Sequence, residues 1–82
     1  MSEVKIIPLA QLPIRSWGKV HSLLAKDDSR RRLMDLGLVP GTRVEAIRRS
    51  PLGDPTAYSI RGATIALRKE EAQKVLVIPT ER

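Results

Sequence analysis

The sequence predicts a mainly β fold: a small barrel of about five short strands, with one α-helix inserted after the first long strand and a short helical turn before the last. Three observations carry that expectation. Short apolar stretches recur along the chain, each closed by proline or glycine turn signals. Only one segment, residues 26–41, has the caps and spacing of a full helix. The 82 residues contain no cysteine, so one domain spanning 1–82 must rest on packing, without disulfides or a thiolate metal cage.

Each element follows from local chemistry. In "KIIPLAQL" and "LPIRSW", Pro8 and Pro13 remove ladder donors, which predicts an edge strand and a helical turn rather than one long element. "GKVHSLLA" reads as a strand from Gly18 to Ala25, with Val20, Ser22 and Leu24 sharing a face. In "KDDSRRRLMDLGLVPG", Asp27, Asp28 or Ser29 is expected to cap the helix, and the acids suit its positive end. Gly37 is placed to end it in a left-handed cap, bringing Leu38 back onto Leu33. Val39-Pro40-Gly41-Thr42 has the proline and glycine of a type II turn. "TRVEAIRRS" alternates through Val44 and Ala46, and Ile47 breaks the alternation, which predicts a bulge. "TAYSIRGATIALR" gives two strands about Gly62, with Tyr58 and Ile60 on one side and Ile65 and Leu67 returning. "KEEAQK" is a helical turn, and "VLVI" a closing strand bounded by Pro79. An SH3-like barrel fits this order best; an OB-fold, which places its helix elsewhere, is second.

The chemistry is sparse. A nucleophile needs an oriented base, and the one histidine, His21, lies in an alternating strand. As a metal site, His21 with Asp27 and Asp28 is a weak candidate, because helix capping already accounts for the two acids. No enzyme activity and no cofactor are expected, although a divalent metal held adventitiously or between chains stays compatible. "SPLGDP" is not a phosphate loop: one glycine is followed by an acid, a proline and a strand, instead of a lysine and a helix start. It is a turn, and Asp54 is expected to bond backbone close to itself. Leu52 has no periodic partner to assign it, so burial and exposure are equally supported. In Arg30-Arg31-Arg32, three consecutive helical positions point in different directions, so one is expected to reach neighbouring structure as a salt bridge.

Fifteen Lys and Arg against nine Asp and Glu give a net charge of +6, which favours an acidic partner. A nucleic-acid reader is the alternative class, and Trp17 and Tyr58 are too few aromatics for a stacking platform. No apolar run reaches the roughly 20 residues of a membrane span, and the start "MSEVKIIPLAQLP" lacks signal-peptide order. A soluble, cytoplasmic protein is the simplest expectation.

One stretch carries a family resemblance. Arg32-Leu33 leading into Leu36-Gly37-Leu38, Pro40-Gly41, Pro51 to Pro55, Arg61-Gly62 and Ala66 to Ala72 together resemble the FeoA family of ferrous iron transport proteins. The resemblance implies an SH3-like barrel without catalysis, acting with the membrane ferrous iron transporter FeoB, whose cytosolic part binds GTP. It also implies kinship with the C-terminal module of some iron-dependent repressors. A docking function at the inner face of the membrane follows as an expectation, with self-association as a further one and no nucleic acid as partner. The expected partner-binding residues are Leu52, Asp54, Arg48, Arg49 and Tyr58, with Arg32 on the helix.

Overall fold

Among the described residues nine short elements follow one another along the chain. β1 (Ile7–Pro8) runs into a 3-10 turn (Leu9–Gln11), then β2 (Trp17–Leu23), α1 (Asp27–Asp35), β3 (Arg43–Arg49), β4 (Thr56–Ile60), β5 (Ala63–Leu67), α2 (Lys69–Ala72) and β6 (Val75–Thr80). The computed structural model describes residues 4–81; residues 1–3 and 82, at the two ends of the predicted domain, lie outside the described residues. The strands form one antiparallel sheet in the order β1-β6-β2-β3-β4-β5. The strand count is six because the short proline edge, with Ile7 opposite Val77 and Pro8 opposite Leu76, pairs with β6 as a strand of its own. The helix follows the first long strand and the helical turn precedes the last, as expected from the sequence.

The inward face is set by the period of two. Val44 and Ala46 on β3, Thr56, Tyr58 and Ile60 on β4, and Val75 and Val77 on β6 are all buried. Leu33 and Leu38 complete the core from the helix side. Each buried aliphatic side chain contributes about 1.5–3 kcal/mol relative to exposure.

Several local predictions hold in detail. Gly37 takes φ +102°, Leu38 N–H donates to Leu33 O at 3.1 Å and Gly37 N–H to Met34 O at 2.9 Å. This pair of bonds satisfies the last helical carbonyls and folds Leu38 onto Leu33, both of them buried. Thr42 N–H donates to Val39 O at 3.0 Å across the Pro40–Gly41 turn. The β3–β4 register slips between Ala46 and Arg48, the bulge expected at Ile47. Arg61 and Gly62 both have positive φ, 51° and 81°, making the two-residue hairpin whose twist matches its strands.

Three expectations are corrected. The position flanking α1 is Lys26, without a side-chain cap; Asp27 and Asp28 occupy the first turn, where they still meet the positive end of the dipole. Leu24 is exposed, not on the face of Val20, because the β2–β6 register shifts between Val20 and Ser22 and turns the strand end over, burying Ala25 instead. β6 does not stop at Pro79: Pro79 sits opposite Gly18, and the strand runs on to Thr80 opposite Trp17. The two-residue β1 pairs only with Leu76 and Val77, so beyond it β6 has a neighbour on one side alone and tolerates a proline.

Candidate docking surface

The loop joining β3 to β4 satisfies its own polar groups. Gly53 N–H donates to Ser50 O at 2.8 Å, Ser50 N–H to Pro55 O at 3.0 Å, and the Ser50 hydroxyl to Asp54 O at 2.8 Å. The Asp54–Pro55 peptide is cis. Asp54 does not bond backbone beside itself, as the sequence suggested. Its Oδ1 instead accepts the Lys69 N–H at 2.8 Å, fifteen residues on. That amide opens α2, whose flanking Arg68 has no side-chain acceptor to offer; Arg68 N–H itself donates to Glu71 Oε1 at 3.1 Å. Asp54 thus caps α2 from a distance and pins the loop to the barrel.

At the tip of this pinned loop Leu52 is 95% exposed. The even balance between core and surface resolves to surface. Proline before it and hydrogen bonds around it leave little backbone freedom to lose, so a partner covering Leu52 gains apolar burial at low ordering cost. Arg48 and Arg49, at the end of β3 where the loop begins, are both exposed.

Tyr58 is corrected from the expected partner set to the core. At 2% exposure it follows Ala46 in register, and its hydroxyl donates to Leu9 O at a long 3.5 Å. Burial raises its pKa above the ordinary 10.0, with the Asp54 charge adding to the rise, while a hydrogen bond with Thr56 and the Arg49 charge pull it back. Its edge reaches a cavity of about 270 Å³ under the loop, lined also by Ala10, Arg49, Gly53, Thr56 and Lys69.

Arg32 is the member of the triplet that reaches neighbouring structure, forming a salt bridge with Glu71 that ties α1 to α2. The two helices border a cleft of about 430 Å³, lined by Arg32, Leu33, Arg68, Glu71 and Lys74 among others. His21 is exposed on β2, its Nδ1 2.9 Å from the Ser22 hydroxyl. Among the described residues no group of three or more His, Cys, Asp or Glu side chains converges as a metal site. No helix among them is long and apolar enough to cross a membrane.

Two partners of the candidate residues were not foreseen, Lys69 for Asp54 and Glu71 for Arg32. The only local signal was the Arg68-x-x-Glu71 spacing at the start of α2. A third feature was missed altogether: Arg43 stacks over the Trp17 ring, its Cζ 4.9 Å from the centroid.

Fold and surface together define an SH3-like domain whose β3–β4 loop, closed by its own hydrogen bonds, holds Leu52 exposed. The model of the FeoA domain matches residues 7–79, and the chain belongs to the FeoA family, which serves ferrous iron transport. It is 35% identical over 48 residues to an Fe(2+) transport protein A/Fe(2+) transporter FeoB fusion protein of Porphyromonas gingivalis; that match covers 58% of this chain and spans only 6% of the relative. Its fold is similar to that of a FeoA-like protein from Clostridium acetobutylicum, with 36% identity and TM-score 0.88, covering 98% of this chain and 93% of that one. It is similar also to Stenotrophomonas maltophilia FeoA, an SH3 domain protein solved in complex with zinc, with 32% identity and TM-score 0.78 over 90% of this chain and 95% of that one.

Proposed function

We propose that this protein is a non-catalytic accessory of ferrous iron uptake that docks on the cytosolic region of FeoB through the Leu52 loop. The observation that carries the reading is Leu52 itself, fully exposed on a loop whose shape is fixed by Ser50 and Asp54. An apolar tip held in place without burial suits a partner pocket. The fusion relative supports the same pairing, since joining two modules in one chain raises their effective concentration and benefits parts that act together. The +6 charge favours a position at the inner face of an anionic membrane, next to the transporter. By occupying the GTP-binding part, the domain would bias its nucleotide cycle or its assembly.

A calorimetric titration tests this against both the isolated cytosolic region and the intact transporter in detergent. The expected result is saturable binding that Leu52→Asp weakens by at least about tenfold, in line with burial of one leucine, while the melting temperature stays unchanged. Absence of binding to both forms overturns the proposal.

A further inference from the structure

A second surface lies at the other end of the β3–β4 hairpin. Seven-residue β3 separates it from the Leu52 loop by about 20 Å at roughly 3.3 Å per residue. An open cavity of about 560 Å³ is bounded here by Trp17, Thr42, Arg43, Ser59, Arg61 and the Pro40–Gly41 turn. Two arginines, Arg43 and Arg61, line it. Arg43 lies over the Trp17 indole, and Arg61 leaves a left-handed turn with its Nη2 donating to Thr42 Oγ1 at 3.5 Å. No carboxylate lines the cavity. Glu45 stands between Trp17 and Ser59 in register, so one carboxylate borders the cavity on the face of Arg43, and Lys19, opposite Arg43, adds a third cation.

We infer that this surface is a docking site for an acidic protein segment, with Arg43 and Arg61 receiving its carboxylates. The chemistry favours that occupant over a phosphate ligand. Phosphate cradles use free backbone amides on residues of alternating hand, whereas the Gly41 N–H is committed to Val20 O at 2.8 Å and the Thr42 N–H to Val39 O at 3.0 Å, and the Arg61–Gly62 turn has positive φ at both residues. Nucleic acid fits poorly, because the Trp17 face that would stack a base carries the Arg43 guanidinium. Guanidinium forks match planar carboxylates two bonds at a time, and the Trp17 ring orients the Arg43 fork before binding. The site is open and shallow, so side chains carried on another protein reach it without any opening of the barrel.

Trp17 is the one tryptophan, so its fluorescence reports the site directly. The test titrates the protein, near physiological salt, with a glutamate-rich peptide, with inorganic phosphate and with a single-stranded oligonucleotide. Saturable change with the peptide alone is expected. Affinity should fall about tenfold in Arg43→Gln/Arg61→Gln and less in Arg61→Lys, which keeps the charge and loses the fork. Arg30→Gln/Arg31→Gln removes the same charge from the exposed face of α1 and should bind as wild type does. Equal weakening by both double variants means diffuse attraction and overturns the assignment. So does phosphate or oligonucleotide binding that matches the peptide, or no change with any ligand. Melting curves of each variant exclude misfolding as the cause. Because the transporter is absent from this experiment and Leu52→Asp should leave peptide binding intact, the outcome is separable from that of the Leu52 docking proposal.

Discussion

Removing the Asp54 carboxylate should loosen a helix fifteen residues away and, through it, the Leu52 loop. Asp54 Oδ1 accepts the N–H of Lys69 at 2.8 Å, and Arg68 has no side-chain oxygen to replace it. Loss of an equivalent cap costs about 1 kcal/mol. The group is exposed, so water takes up part of the lost bond and about 1 kcal/mol is an upper expectation. For an 82-residue domain that shifts the melting temperature down by about 4–8 °C. Asp54→Asn keeps an acceptor oxygen at the same place and should lose only a few tenths of a kcal/mol. Two measurements read the effect: thermal melting of Asp54→Ala and Asp54→Asn, and amide hydrogen exchange at Lys69. Faster exchange at Lys69 in Asp54→Ala, with Asp54→Asn in between, is expected. An Asp54→Ala protein that melts and exchanges at Lys69 as wild type does would refute the remote-cap argument.

Other consequences follow from the same packing. Gly37→Ala must accept φ +102° and a Cβ 3.1 Å from Ile60 Cγ2, and should lower the melting temperature by about 8 °C or more. Gly53→Ala has φ +91° but open space around the new Cβ, so it should cost only the backbone part; equal losses for the two would show that the Ile60 contact is irrelevant. Tyr58 is the one tyrosine, and its raised pKa means that the folded state keeps the phenol proton longer than the unfolded state. Its contribution is therefore fully present below pH about 10 and is lost as pH rises through the folded value, so the melting temperature should fall above pH about 10 and do so less in Tyr58→Phe. Phenolate absorbance appearing at the ordinary pH would contradict it. Arg32→Gln should lower stability by less than about 1 kcal/mol, and the difference should shrink in high salt, because the bridge to Glu71 is partly exposed.

What could be read from the sequence was local. Gly37 with Leu38, the Pro40–Gly41 turn and the break at Ile47 each depend on residues within one turn, and each stands as expected. What could not be read depends on chain that is distant in sequence. Asp54 meets Lys69 only because β4 and β5 pair between them. Tyr58 was placed on a shared face with Ile60 yet also expected at a partner surface; the register with Ala46 sends both inward. Leu24 follows the alternation of β2 on paper, and a register shift around His21 reverses it. For Leu52, neither periodicity nor propensity bears on the outcome, because its exposure depends on a loop held by tertiary bonds. Arg43 over Trp17 needs the pairing of β2 with β3 before it exists at all.

The central claim, that the Leu52 loop meets the transporter, is tested most directly by photo-crosslinking in cells. A photoreactive residue at position 52 should capture FeoB in its cytosolic region, and one at position 21, an exposed site on β2, should capture it far less. Capture of FeoB from position 21 and none from position 52 would contradict the account.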